Sequence, residues 1–147
     1  MENTSASQFK SYLESSGIIT EVGAIQGATY FAVSVPFIDK SMRIIAYFSA
    51  DEAAVTIFSV NYFVLDDLLR VDVLELINVL NEKYTKLKFV LSEGNSVKGI
   101  IFMDISDSFH ANDVYEMMMF LGNALSEEFG EFNRLLDQKP FEGLRLL

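Results

Sequence analysis

The chain contains no cysteine, which excludes disulfides, thiol nucleophiles and thiolate-bound metal. Histidine occurs once, as His110, so no multi-histidine site can be built from one copy. The opening stretch MENTSASQFK has neither a basic leader nor an apolar run. It does not read as a signal peptide, and the expected location is a cytoplasm, bacterial or otherwise reducing. Long apolar runs are also missing. The longest, AAVTIFSVNYFVL, is interrupted by Thr56, Ser59 and Asn61 and falls short of the roughly 20 residues that a membrane span requires. Basic residues are few, with 11 Lys and Arg against 21 Asp and Glu and a net charge of −10. That balance repels phosphate backbones and anionic headgroups, so neither nucleic acid nor membrane is expected as a partner. It would attract a basic or weakly folded polypeptide, although an acidic surface also serves solubility alone.

What is abundant is apolar surface. Half of the 147 residues are hydrophobic and 13 are phenylalanine. A chain of this length buries about 70% of its unfolded surface in one core, and this composition implies further apolar surface that something else covers, most simply a second copy. No repeat, low-complexity tract or linker interrupts the sequence, so residues 1–147 read as a single domain.

The hydrophobic period divides it into elements. Residues 5–16, SASQFKSYLESS, place Phe9, Tyr12 and Leu13 at helical spacing after a run of Ser and Thr, and Gly17 closes the segment. From Ile18 to Phe63 the period becomes two, with breaks at QGA, IDKS and SADE that separate four strands. In TYFAVSVPF, for example, Phe31, Val33, Val35 and Phe37 point one way and Tyr30, Ala32 and Ser34 the other. Strand four is ambiguous: Val55 and Ile57 have one parity and Phe58, Val60 and Tyr62 the other. A helical period returns in DDLLRVDVLELINVLNEKY, with Val73, Leu76, Ile77, Leu80 and Tyr84 on one side. KLKFVL and VKGIIFMD then form two strands around SEGNS, and a last helix runs from about Asn112 to about Leu136. The tail 137–147 is expected to fold back or cross to a neighbour. Short loops make the strands antiparallel. The expected class is α+β, a two-layer arrangement with an antiparallel sheet and helices on one face, in the order α-β-β-β-β-α-β-β-α.

Chemical motifs are weak. Asp66, Asp67 and Asp72 crowd a helix start, where carboxylates favour the positive end of the helix dipole. DISDS, residues 104–108, offers oxygen ligands at alternate positions, but Asp104, Ser106, Asp107 and Ser108 are better explained as a strand end followed by a helix cap. GNSVKG joins two strands and lacks the Lys-Ser or Lys-Thr of a phosphate loop. His110 has no nucleophile elbow near it. Glu127, Glu128 and Glu131 read as a solvated helix face. No cofactor, metal or catalytic residue is expected.

The most unusual stretch is VYEMMMFLGNALSEEFGEF, residues 114–132. At 100° per residue, Val114, Met117, Met118, Leu121, Leu125, Phe129 and Phe132 form one stripe. Met119 and Phe120 fall outside it and are expected to face solvent or another surface. The sheet carries the same message, because the parity opposite the core includes Ile45, Tyr47, Ile100 and Phe102, mixed with Arg43, Lys88 and Lys98. Met119, Phe120, Ile45, Tyr47, Ile100 and Phe102 are therefore the candidate partner or dimer surface. It could be a homodimer seam, a groove for a client peptide, or a face lined by the tail.

Residues 41–136 resemble the YbjN family of bacterial sensory-transduction regulators, whose fold is like that of type III secretion chaperones. The likeness lies in VDVLELINVLNEKYTKLKFVLSEGNSVKGIIFMDI, with an LN helix end passing at once into a KF-V strand, a Gly/Asn turn, and a last helix ending in acidic and aromatic residues. It implies a small, acidic, usually dimeric α+β protein that binds other polypeptides and is not an enzyme. The expected function is thus a non-enzymatic binding or regulatory module. The alternatives are a metal-dependent or small-molecule enzyme using Asp104, Asp107 and His110 with Asp66 or Asp67, and a structural subunit of a larger assembly.

Overall fold

The computed structural model describes residues 4–37 and 40–145, with side chains described as far as Leu136 except at Lys40. The Thr4 hydroxyl accepts from the Ser7 amide and starts helix α1 (Ser5–Ser15), which ends as Gly17 adopts φ 71°. Strands β1 (Glu21–Ile25), β2 (Ala28–Phe37), β3 (Lys40–Phe48) and β4 (Ala54–Val60) then pair antiparallel in chain order. The first turn shows why. Gln26 and Gly27 take φ of 51° and 87°, the two positive values of a tight hairpin whose twist matches its strands.

After β4 come the two-residue β5 (Phe63–Val64), a 3-10 turn capped by Asp66, and helix α2 (Arg70–Lys83). Strands β6 (Leu87–Ser92) and β7 (Ser96–Asp104) follow, then helix α3 (Ala111–Arg145). β7 inserts between β4 and β6, so the long strands lie in the order β1-β2-β3-β4-β7-β6, and β5 continues along β7 on the β4 side. The sheet is antiparallel and the helices cover one face of it.

Strand four's mixed parity is resolved by a bulge. Phe58 pairs with Ile100 and Phe63 with Val97, five steps on one strand against three on the other. Asn61 absorbs the change at φ 62°. The Ser59 hydroxyl accepts the Gly99 amide at 3.0 Å where the ladder is broken. Val55 and Ile57 consequently face the helices, Phe58 faces away, and Tyr62, past the bulge, is turned back inside and donates to the Leu125 carbonyl at 2.8 Å.

The core lies between the sheet and the three helices. Phe9 and Leu13 of α1, Val73 of α2, and Val114, Met118, Leu121, Leu125 and Phe132 of α3 are fully buried against Phe31, Ile44, Phe48, Ile57 and Ile101. α3 approaches β7 at Gly99, where a Cβ would stand 2.7 Å from Leu121. The expected fold class and element order are observed, with β5 as an addition. The tail does not fold back: the backbone stays helical as far as Arg145, and residues 146–147 lie outside the described residues.

Candidate functional site

Because side chains alternate along a strand, helices on one face leave the other parity of every strand uncovered. Its residues fall into cross-strand rows. Tyr30, Tyr47, Thr56 and Phe102 form one, and Ala32, Ile45, Phe58, Ile100 and Lys88 form the next. Antiparallel sheets that face water on one side usually present a polar set there. Here the centre is aromatic and aliphatic. Phe102 is 67% exposed, while Ile45, Tyr47, Phe58, Val60 and Ile100 are half-buried. Tyr30 lies across Gly23, where a Cβ would come within 2.3 Å of its ring, so the glycine lets the ring lie flat on β1.

Charge on this face is sparse and mostly basic. Arg43 pairs with Glu21 at 2.9 Å. The Lys98 ammonium sits 5.5 Å from the centre of the Phe58 ring, a cation–π distance. Lys88 donates to the Asn81 carbonyl at 3.3 Å. At the corner beside β6 the face runs into a cleft of about 780 Å³ lined by Lys86, Lys88, Ile100, Phe102, Glu116 and Met117. β7 outruns β6 there, since Ile101 pairs with Leu87 and Phe102–Asp104 have no strand partner on that side.

The two outer strands differ. On β6 the Asn81 amide accepts the Phe89 N–H at 2.7 Å and donates to the Phe89 carbonyl at 3.0 Å, which occupies the ladder groups that another strand would need. Among the described residues no side chain plugs the outer edge of β1 in this way. Val22 is 43% and Ile25 52% exposed, with Ile19 before them at 91%.

Of the candidate surface residues, Ile45, Tyr47, Ile100 and Phe102 come together on the open face, and Phe58, Val60 and Tyr30 join them. Met119 and Phe120 belong to the opposite layer. Met119 is half-buried against the core, and the Phe120 ring meets that of Tyr84, which follows α2, at 6.2 Å. Phe120 stays 37% exposed beside that ring, as expected of a residue outside the main stripe, while Met119 is partly covered; α1 flanks this helix through Tyr12 and Tyr115, and the end of α2 through Tyr84. A further exposed apolar set, Leu68, Val71, Leu74 and Val79, lies on and beside the outer face of α2 among Asp72, Glu75 and Glu82. Its signal was the number of Leu and Val in LLRVDVLELINVL, which exceeds what one helix face needs.

The carboxylates do not converge. Asp104 accepts from the Ser106 amide and hydroxyl at 2.9 and 2.6 Å, bonds that hold its carboxyl below the usual range. Asp107 and His110 are exposed in the loop before α3. Asp66 caps Leu68, and Asp67 accepts from Asn95 at 2.7 Å, at the far end of β7 from Asp104. Strand rise separates the two ends by about 25 Å. Among the described residues no three His, Asp or Glu side chains gather to hold a metal ion, and no helix is long and apolar enough to cross a membrane.

Glu128 departs from the expected solvated face, being only 5% exposed. It accepts from the Lys83 ammonium and the Tyr84 hydroxyl, both at 2.6 Å. Burial pushes its carboxyl up, but these two bonds and the Lys83 charge outweigh it, and the net shift is downward. Burial, with the Glu128 bond and charge, raises the Tyr84 phenol. The cluster ties the end of α2 to α3 and stands apart from the corner cleft.

Fold and site define an α+β domain with a one-sided helical layer and an uncovered apolar sheet face. No family model, curated protein or solved structure matches the chain.

Proposed function

We propose that the chain is a non-enzymatic protein-binding module, regulatory or chaperone-like, that takes a polypeptide segment on the open sheet face. The observation that supports it is the continuous apolar row Ile45, Phe58 and Ile100 beside Phe102, uncovered by any helix of its own chain. Such a surface gains free energy when an extended or helical segment covers it, with aromatic side chains as anchors. The likeness of residues 41–136 to YbjN proteins and secretion chaperones points to the same class, and a bacterial cytoplasm is the setting this reading implies. The check is a peptide array probed with the purified protein and with its Ile45→Ser/Phe102→Ser double variant. Binding to a subset of peptides should be lost in the variant while its melting temperature stays within a few degrees. Equal binding by both proteins, or none by either, would remove the reading.

Self-association through β1 is a second proposal, favoured by the contrast between the sheet edges. β1 offers ladder groups and the exposed Val22 and Ile25, whereas Asn81 plugs β6. Two β1 strands meeting antiparallel about a two-fold axis would join the sheets of a homodimer. Light scattering should then give the mass of two chains for the native protein and of one for Val22→Lys, since an edge lysine opposes strand addition. A native monomer, or a dimer indifferent to the substitution, would exclude this edge.

A further inference from the structure

The chain as a whole is strongly acidic, yet its charges are not evenly spread. On and beside the open face stand Arg43, Lys86, Lys88 and Lys98, against Glu21 and Asp104. Glu21 is already paired with Arg43, while Asp104, which accepts from the neutral Ser106, keeps its negative charge at the end of β7. Against that one carboxylate stand Lys86 and Lys88 at one side of the apolar surface and Lys98 on it. Lys98 is held over the centre of that surface by the Phe58 ring and Lys88 at its rim by Asn81. Many of the other carboxylates, Asp72, Glu75, Glu82, Glu127 and Glu131 among them, belong to the helices on the far side of the sheet. The acidic wall formed by Asp113 and Glu116 at the corner cleft also comes from α3 and bounds the basic surface there.

We infer that the open face takes an acidic amphipathic polypeptide segment, its apolar side chains on Ile45, Phe58, Ile100 and Phe102 and its carboxylates toward Lys88 and Lys98. This rests on the reading of the open face as a polypeptide site and specifies the charge class of the partner. It reverses the expectation drawn from net charge, under which basic clients would be attracted. The reversal follows from screening. At about 0.15 M salt the screening length is about 8 Å, while a helix alone is about 10 Å across. A bound segment over Phe58 and Ile100 therefore senses the lysines beside it and little of the carboxylates on the outer helix faces, those of Asp113 and Glu116 at the corner cleft excepted. A second copy laid symmetrically face to face is disfavoured by the same charges, because it would bring the two sets of lysines together.

The test uses two fluorescein-labelled peptides of equal length with identical Leu and Phe positions, one carrying Glu and the other Lys at every remaining position. Anisotropy titrations with the intact protein at about 0.15 M salt should show the Glu peptide binding roughly tenfold tighter, as two partly exposed charge contacts would give. The difference should shrink toward zero at about 1 M salt, where the screening length falls to about 3 Å. In Lys88→Glu/Lys98→Glu the preference should invert. Equal or tighter binding of the Lys peptide to the native protein would overturn the inference, as would a preference untouched by the charge reversal. If neither peptide binds, or if both bind unaffected by Ile45→Ser/Phe102→Ser, the polypeptide site itself is refuted. A dimer by light scattering that dissociates on Phe102→Ser would assign the face to a second copy and also overturn the inference.

Discussion

Phe132→Ala is expected to lower the unfolding free energy by about 3–5 kcal/mol, the usual cost of removing a fully buried aromatic ring. Phe132 has no exposed surface, and its ring lies 5.6 Å from Tyr62, 5.3 Å from Phe63 and 6.0 Å from Phe89. These partners come from the bulge after β4, from β5 and from β6, so one side chain of α3 fastens segments on both flanks of β7. The cavity left by alanine has rigid walls, since Phe89 belongs to a strand and Tyr62 is held by its bond to the Leu125 carbonyl. Against a total stability of about 5–15 kcal/mol, the loss corresponds to a fall of roughly 10 °C in melting temperature. Phe102→Ala supplies the contrast. That ring is 67% exposed, and its removal should change stability by no more than about 0.5 kcal/mol. Urea denaturation of the three proteins decides the matter. If the two alanine variants proved equally stable, the division into a buried and an open sheet face would be wrong.

Glu128→Ala has the next largest effect, about 2–3 kcal/mol, because it leaves the Tyr84 hydroxyl without its acceptor and opens space between α2 and α3. The Lys83 ammonium can turn to water, since its side chain is 56% exposed, so no stranded charge adds to the cost. The same residue sets an acid limit. A carboxyl whose value is lowered in the fold contributes stability above its unfolded value of about 4.3 and loses it as pH falls through the folded value. Native protein and Glu128→Gln should therefore converge in stability below about pH 4. Tyr84 and Tyr62 set the alkaline limit with the opposite sign. Burial is the leading cause that raises both phenols, so stability falls once unfolded tyrosine ionises near about pH 10. Urea midpoints across this pH range should trace a plateau with both shoulders. An acid shoulder unchanged in Glu128→Gln would show that other carboxylates carry it.

Hydrophobic period and turn chemistry, read along the chain, determined the elements, their order and the antiparallel pairing. These depend on each residue and its near neighbours: Thr4 as a cap, Gln26-Gly27 as a tight turn, Gly94-Asn95 with positive φ between β6 and β7. The alternation that places Ile45, Tyr47, Ile100 and Phe102 on one face was legible for the same reason. The side of Phe58 and Tyr62 was not, because the bulge at Asn61 exists only where the strand meets a partner of different length. Glu128 was misjudged from its position on a single helix. Whether a residue outside the main stripe meets water depends on which helices flank it, and Lys83 and Tyr84 at the end of α2 settled that for Glu128. Charge followed the same division. The amino acids alone determined a net charge of −10, but only the tertiary structure separated the lysines of the open sheet face from the carboxylates of the helical layer. Net charge is a sum over residues, whereas the field at a surface depends on which of them the fold brings within a screening length of it.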